Sequence, residues 1–413
     1  MGANDEALTT ELTNLIASCP PGWTLPQPFY RDAEIYRVDV DRVWRRGWLF
    51  AGYTCQIRQP GDFFVYEVDT DALIVMRNDS GTVVALFDTC RHRGTRICLE
   101  PAGHVNKLVC PYHQWSYGRD GTLLGCGMTP EPRDAEEFSL HRAPCHVLEG
   151  LIFVSLATDP PPFDPADEQI APQLRPHGFD RAKVAATIDY EVEANWKIVW
   201  ENNRECLHCA VGHPQYVKAN YDVAPPDDPE VQAEIVARSD RCRERWDALG
   251  LPVESQLGLC PFPDGAWYGA HRMPLVEGWV TESMDGAPVA PLMGDFTKRD
   301  MGTLRIRAVP NFWCHASSDH AVTSRLTPAG PTRTRVQVTW LVHQDAIEGV
   351  DYDLPRLLPF WQLTSEQDWA LCRNNQAGVN SIRYRPGPYS PSTEYNVDQF
   401  VRWYLDQLRP TGC

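Results

Sequence analysis

Apolar positions change their period along the chain, and those changes divide it. Near the start, Tyr36, Val40, Val43 and Trp44 recur at i, i+4, i+7 and i+8, which places them on one face of a short helix. Before them lie a polar opening, expected to be frayed, and the run Leu25-Pro26-Gln27-Pro28-Phe29-Tyr30, whose prolines predict an extended arm. From Trp48 to about Thr158 the texture is that of short strands: Phe63 to Val68, Leu73 to Met76 and Val83 to Phe87. Asn78-Asp79-Ser80-Gly81 turns between the last two, and Arg119-Asp120-Gly121 marks another hairpin. This predicts an all-β unit of about 110 residues, an ordinary domain size. The proline-dense Asp159-Pro160-Pro161-Pro162-Phe163-Asp164-Pro165 reads as a linker.

Beyond the linker, Asn195 to Pro214 reads as a helix, followed from about Ala219 to Ser255 by a polar stretch predicted as loops and short helices. Strands return with Leu304 to Val309, Ala321 to Thr327 and Arg335 to His343. In the last of these Val336, Val338, Trp340 and Val342 alternate with polar neighbours, as in a sheet with one buried face. Pro328-Ala329-Gly330-Pro331 joins the last two strands. Asn396 is placed to cap a helix whose Val397, Phe400, Val401, Tyr404 and Leu408 form one apolar stripe.

Composition narrows the class. At 413 residues, two domains or one domain carrying an insertion are expected. The net charge of −17 argues against nucleic acid or an anionic membrane as partner, and is compatible with a cationic substrate. No apolar run approaches the roughly 18 residues of a membrane span, and the first 20 residues lack a basic-then-apolar leader, so the expected location is cytoplasmic. The 14 cysteines are then expected to be reduced thiols and metal ligands rather than disulfides.

Two groups of residues carry chemistry. Cys90-Arg91-His92 is followed by Cys110-Pro111-Tyr112-His113. Two Cys/His pairs on separate loops are what a Rieske [2Fe–2S] cluster requires, with thiolates on one iron and imidazoles on the other. A structural Cys2His2 zinc site is the alternative, although zinc fingers place both histidines together on a helix. His104, between the halves, fits neither pair and reads as a surface histidine. The second group is Asn195-Trp-Lys-Ile-Val-Trp-Glu-Asn-Asn-Arg-Glu-Cys-Leu-His-Cys-Ala-Val-Gly-His-Pro214, with His208 and His213 five positions apart. Two imidazoles and a carboxylate from elsewhere make the facial triad of non-haem Fe(II), with positions left open for dioxygen. A five-residue step on an ideal helix points the rings apart, so the helix must end or distort between them, and Gly212 and Pro214 supply that distortion. Asp368 is the expected third ligand, with Glu366 as competitor. Glu205, three residues before His208, is placed either as a helix-surface acid or as the acceptor of that ring's outer N–H.

These residues together resemble the α subunit of a Rieske non-haem iron oxygenase, over nearly the whole chain. The narrower resemblance is to the quaternary-ammonium branch of glycine betaine and proline betaine (stachydrine) demethylases and, more distantly, carnitine oxygenase. It rests on Glu205 in Glu201-Asn202-Asn203-Arg204-Glu205-Cys206, where ring-hydroxylating dioxygenases usually have aspartate. It rests also on Arg272-Met273-Pro274-Leu275, Ser283-Met284-Asp285-Gly286, Trp340-Leu341-Val342-His343, Glu348-Gly349-Val350-Asp351-Tyr352-Asp353 and Pro386-Gly387-Pro388-Tyr389-Ser390-Pro391. Gln114 departs from the glycine of many relatives. Cys98 and Cys126 do not stand where respiratory-chain Rieske proteins form a loop-clamping disulfide, which favours the oxygenase type.

The resemblance implies an α+β fold in which an all-β Rieske domain, 48–158, is inserted in a mononuclear-iron catalytic domain, 1–47 and 159–413, built as a helix-grip antiparallel sheet covered by helices. It implies a homotrimer in which the cluster of one subunit faces the iron of the next, with His113, Glu205 and His208 as the bridge. A separate NAD(P)H-dependent flavin/iron-sulfur reductase is the implied electron donor. The expected reaction is O2-dependent hydroxylation of an N-methyl group of a small betaine, with formaldehyde release. A quaternary ammonium accepts no hydrogen bond, so aromatic faces are needed. Trp267, Tyr268, Trp279, Phe312, Trp313 and Trp361 are candidates, with Arg272 or His271 for the substrate carboxylate. Aromatic-ring hydroxylation and a bare Rieske electron carrier are the rival functions.

Overall fold

The structure, a computed structural model, describes residues 3–127, 129, 134, 136–225, 227–252, 262–263 and 265–409. The chain forms two compact units. One comprises Trp44–Phe163 with Gly178–Lys183, the other Met1–Val43, Asp164–His177 and Val184–Cys413. The smaller unit thus extends a few residues beyond the expected 48–158 on each side. The reason lies in the proline-rich run, which is not a free linker: the Trp48 indole donates to Pro161 O (2.7 Å) and meets Phe163 edge-on at 5.0 Å.

Within the smaller unit lie two three-stranded sheets and one five-stranded sheet. Strands Asp62–Val68, Asp71–Arg77 and Val83–Phe87 pair antiparallel in sequence order. Their alternate apolar residues Phe63, Ile74, Met76 and Leu86 pack with Leu108, Trp115 and Tyr117 into a core that also buries Cys90 and Cys110. Short strands Leu108–Val109 and Ser116–Tyr117 pair across the turn that carries Cys110 and His113.

The larger unit is organised on a six-stranded sheet with spatial order Ala182–Val192, Thr334–His343, Ala321–Pro328, Phe312–Ala316, Thr303–Ala308, Tyr268–Met273. From Thr334–His343 to Tyr268–Met273 every neighbour is antiparallel. Helices Trp196–Asn203 and Pro359–Val379 cover one face: Trp200 and Trp369 lie 5.3 and 6.4 Å, centroid to centroid, from Trp313 on that face. Along the long helix Trp361, Thr364, Asp368 and Cys372 recur at i, i+3, i+7 and i+11, a single stripe.

Several local expectations fail for physical reasons. The opening is the helix Ala3–Ala17, with Leu12 and Ile16 buried. Pro28 occupies the first turn of a short helix, Pro28–Arg31, where its missing N–H costs nothing. The stretch after Ala219 contains one long helix, Pro229–Asp247, capped by Asp228 and buried through Ile235, Arg238, Ser239, Cys242 and Trp246. Three of those five side chains are polar or thiol-bearing, so the apolar period is faint in the sequence. Residues 226 and 253–255 of that stretch lie outside the described residues. Asn396 sits inside the last helix, Tyr395–Leu408, rather than capping it, whereas the apolar stripe expected there is buried. The helix at 196 stops at Asn203, so Glu205 is not on it.

Candidate metal centres

In the smaller unit, each Cys/His pair sits on a turn closed by the backbone. Gly94 N donates to Cys90 O (2.9 Å) and Gln114 N to Cys110 O (3.1 Å). The sulfurs are buried and the imidazoles half-exposed, so in each pair the cysteine lies inside and the histidine at the surface. The His92 and His113 rings lie 4.7 Å apart, and His92 stacks on Trp115 at 5.1 Å and 7°. Tyr117 Oη lies 3.3 Å from Cys90 Sγ and accepts from Arg91 N (3.1 Å), a polar contact of the kind that tunes a metal-bound thiolate. Gln114 adopts φ +63° in its turn. Gly127, which no sequence pattern marks, has φ +60°, and a Cβ there would come 2.3 Å from His113 O. Neither Cys98 nor Cys126 is disulfide-bonded, and His104 is exposed and paired with Asp62 (2.8 Å).

In the larger unit, His208 and His213 occupy the two ends of the short helix Cys209–Gly212, with His213 already out of helical geometry at φ −130°, ψ 66°. That break points both rings at Asp368 on the long helix. His208 Nε2 lies 3.2 Å and His213 Nε2 2.9 Å from Asp368 Oδ1, with the rings 5.2 Å apart at 85°. The outward nitrogens are also held. His208 Nδ1 donates to Glu205 Oε1 (2.5 Å), and His213 Nδ1 to Gln367 Oε1 (2.8 Å). Gln367 Oε1 is itself fixed by Gln215 Nε2, which also donates to Thr364. With Nδ1 held as a donor in each ring, Nε2 is the nitrogen left to face Asp368, and its lone pair would be offered to an ion that took the place of the proton it shares with that carboxylate. Ligands about 2.1 Å from one first-row ion at right angles stand about 3 Å apart, which is the spacing of these donors. Burial pulls the His208 imidazole down, but Asp368 and Glu205 more than reverse this and leave it at about 9. Burial raises the Asp368 carboxyl, and its two imidazole partners hold it below the ordinary range. The site therefore favours positive charge at its centre.

Glu366, the alternative ligand, is exposed and accepts from Gln362. Cys209 lies within reach of both histidines, but its sulfur is joined to Cys206 in a disulfide and has no thiolate to offer. This pairing departs from the expectation of reduced thiols; the Cys-x-x-Cys turn brings the Cα atoms to 5.0 Å, inside the range a disulfide spans.

Beside these donors lies a cavity with about 360 Å³ of atom-free space, partly open to solvent, whose wall includes Tyr216, Arg307, His315, Trp361 and Thr364. Of the expected aromatics only Trp361 lines it. Trp267 and Tyr268 pack on each other, Trp279 lies beneath Gly286, and Trp313 packs on Trp200. Phe312, adjacent in its strand to Trp313, projects from the opposite face of the sheet. Arg272 is buried against His177, Gln173 O and Met301 O, and neither it nor His271 lines the cavity. Arg307 and His315, which do, were missed because their placement depends on strand register. A second space, lined by Glu201, Glu205, His208, Tyr389 and Glu394, also reaches His208.

Residues 47–138 match the family described as Rieske [2Fe-2S] domain, and residues 179–409 the family described as Ring hydroxylating alpha subunit (catalytic domain). The chain is 40% identical to the glycine betaine monooxygenase oxygenase subunit of Chromohalobacter salexigens over 93% of its own length and 86% of the relative. To the subunit of the same name from Pseudomonas aeruginosa it is 37% identical, over 96% and 91%. Among solved structures, a quaternary ammonium Rieske monooxygenase, described with carnitine oxidation and inter-subunit electron transfer, shares the fold with TM-score 0.71 at 17% identity, over 95% of this chain and 98% of that one. Naphthalene 1,2-dioxygenase from Rhodococcus follows with TM-score 0.66 at 18% identity, over 97% and 98%. A Rieske domain excludes the zinc-site reading, and a catalytic domain excludes the bare electron carrier. The chain belongs to the ring-hydroxylating α-subunit family and is a Rieske non-haem iron oxygenase, an oxidoreductase.

Proposed function

We propose that this oxygenase hydroxylates an N-methyl group of a small betaine, using O2 and electrons from a separate flavin-containing, NAD(P)H-dependent reductase. The added hydroxyl makes a carbinolamine, which loses formaldehyde and a proton to leave the demethylated amine. The observation that carries the reading is the convergence of His208 Nε2, His213 Nε2 and Asp368 Oδ1 beside a small cavity, in a chain 37–40% identical, nearly end to end, to glycine betaine monooxygenase subunits.

In this reading Cys90, Cys110, His92 and His113 hold the [2Fe–2S] cluster, and His208, His213 and Asp368 hold the mononuclear iron. The bound groups supply one-electron transfer and dioxygen activation. Glu205 keeps the proton of His208 on Nδ1, and Gln367 does the same for His213, so both rings are preset as ligands. Glu205 Oε2 accepts from Leu207 N, which fixes the carboxylate beside the ring. With His113 at the surface of the smaller unit, a head-to-tail trimer would let Glu205 of one subunit meet the cluster end of another.

The test supplies a reductase, NADH and oxygen, and follows oxygen uptake and formaldehyde with glycine betaine, stachydrine and benzoate in separate runs. Stoichiometric formaldehyde from a betaine is expected. Uptake coupled to a hydroxylated benzoate, with no formaldehyde from either betaine, would overturn the proposal.

A further inference from the structure

Glu201 is a largely buried carboxyl that neither candidate metal centre uses. Lys197, one turn before it on the helix Trp196–Asn203, is fully buried and held by Asp39, which also accepts from the Trp196 indole (3.0 Å) and from Tyr404 Oη (2.6 Å). The Glu201 carboxyl takes one hydrogen bond among the described residues, from Tyr30 Oη to Oε1 (2.7 Å). Burial raises this carboxyl to about 7, against Tyr30 and Lys197, which lower it, and Glu394 adds to the rise. Four further titratable groups feel its charge: Cys372 on the long helix, Tyr384 and Tyr389 in the loop after it, and Tyr404 on the last helix. Burial raises all four above their ordinary values, so they stay neutral. Glu201 can therefore hold a proton at neutral pH and also release it.

Its side chain opens onto the second space beside His208, about 730 Å³ of atom-free volume partly open to solvent. Glu205, Tyr389 and Glu394 stand on the same wall. Tyr389 is 9% exposed, and its hydroxyl makes no hydrogen bond among the described residues, which leaves a polar group that water in this space would satisfy. Asn202, Glu205 and His208 line both this space and the cavity beside the metal-site donors, so the two share a wall. Asn202 Nδ2 lies 3.4 Å from His208 Nε2 on that wall.

Hydroxylation needs such a route. One atom of dioxygen enters the C–H bond to give C–OH, and the other takes up two electrons and two protons and leaves as water. The electrons come from the reductase, whereas the protons must come in from solvent. We propose that Glu201 is the proton relay of this oxygenase: its carboxyl takes a proton from solvent through the second space and passes it, by water there, to the Asn202, Glu205 and His208 wall. This rests on reading His208, His213 and Asp368 as the oxygen-activating site. It does not depend on the substrate, because oxygenation of a betaine or of a ring consumes the same two protons.

The test pairs a readout of the proton with one of turnover. Infrared spectra of the oxidised, metal-loaded enzyme should show a protonated-carboxyl band that disappears as pH rises through about 7, and E201Q should lack that step. Reduced enzyme mixed with oxygen and glycine betaine should form formaldehyde in a single turnover, at a rate that falls over the same pH range. E201Q should be about 100-fold slower and lose that pH dependence, with both metals and the parent's affinity for glycine betaine retained. Y30F removes the hydrogen bond that favours the charged carboxylate, so it should move the infrared step and the rate profile to higher pH together. If E201Q does not fold, Y30F still decides. An infrared step that survives in E201Q, an E201Q rate within twofold of the parent, or a Y30F shift in one readout without the other overturns the relay alone. A parent that makes no product from glycine betaine, stachydrine or benzoate sinks the reading of the site and the relay with it.

Discussion

In the smaller unit the four candidate cluster donors sit on two turns, each closed by its own backbone hydrogen bond within four residues, Gly94 to Cys90 and Gln114 to Cys110. In the larger unit the donors come from a broken helix and from a carboxylate 155 and 160 residues away, and each imidazole is oriented by a second side chain. The first centre is specified by local chain geometry, the second by how distant elements pack. They should therefore fail differently. A change in the larger unit should empty or misorient its own site and leave the cluster intact.

The strongest test of that separation removes the shared acceptor. D368A should lower iron from about three to about two per chain and abolish turnover, with the Rieske absorption unchanged. Loss of the absorption as well would mean that the two centres are not independently built. Next in size, E205Q should reduce turnover by about 100-fold with both metals retained, because the amide can no longer accept from His208 as a charged partner. A Glu205→Asp variant retaining full coupled turnover would show that carboxylate length is not what matters there. Smaller again, Gln367→Leu should weaken retention of the mononuclear iron by about tenfold, read by competition with a chelator, since His213 loses the acceptor that sets its tautomer.

The same contrast explains how much was legible beforehand. Cys90, His92, Cys110 and His113 could be read as candidate donors from spacing alone because each pair lies on a single turn. His208 and His213 could be read as a pair, and Asp368 as a carboxylate on a helix. Gln367 is one unremarkable amide among many until the helix is laid across the broken segment. Arg307 and His315 reach the cavity through strands whose register and neighbours no local pattern encodes, and the aromatics Trp267, Tyr268, Trp279, Phe312 and Trp313 share the residue type the substrate asks for but not the position. The long helix Pro229–Asp247 escaped for a related reason, as its buried stripe includes Arg238 and Ser239 and Arg238 is buried by pairing with Asp300. Burial that depends on a distant partner leaves no hydrophobic period.

The finest test compares two glycines beside the two histidine sites. Gly127 holds φ +60° and leaves no room for a methyl group against His113 O. Gly127→Ala should cost about 1–3 kcal/mol of thermal stability in the smaller unit and reduce cluster occupancy. The reading that Gly212 bends the chain between His208 and His213 predicts a similar penalty there. The structure does not support it: an added Cβ at Gly212 would make only ordinary contacts, at 3.7 Å to Leu371 and 3.9 Å to His208, and its φ lies outside the left-handed region. The break falls instead at His213, where the following Pro214 disfavours the helical region. Gly212→Ala should therefore change stability by no more than about 0.5 kcal/mol, and iron content not at all. Loss of iron in Gly212→Ala with Gly127→Ala unaffected would invert the comparison: the larger unit's site would then depend on local backbone freedom, and the turn beside His113 would tolerate what its geometry forbids.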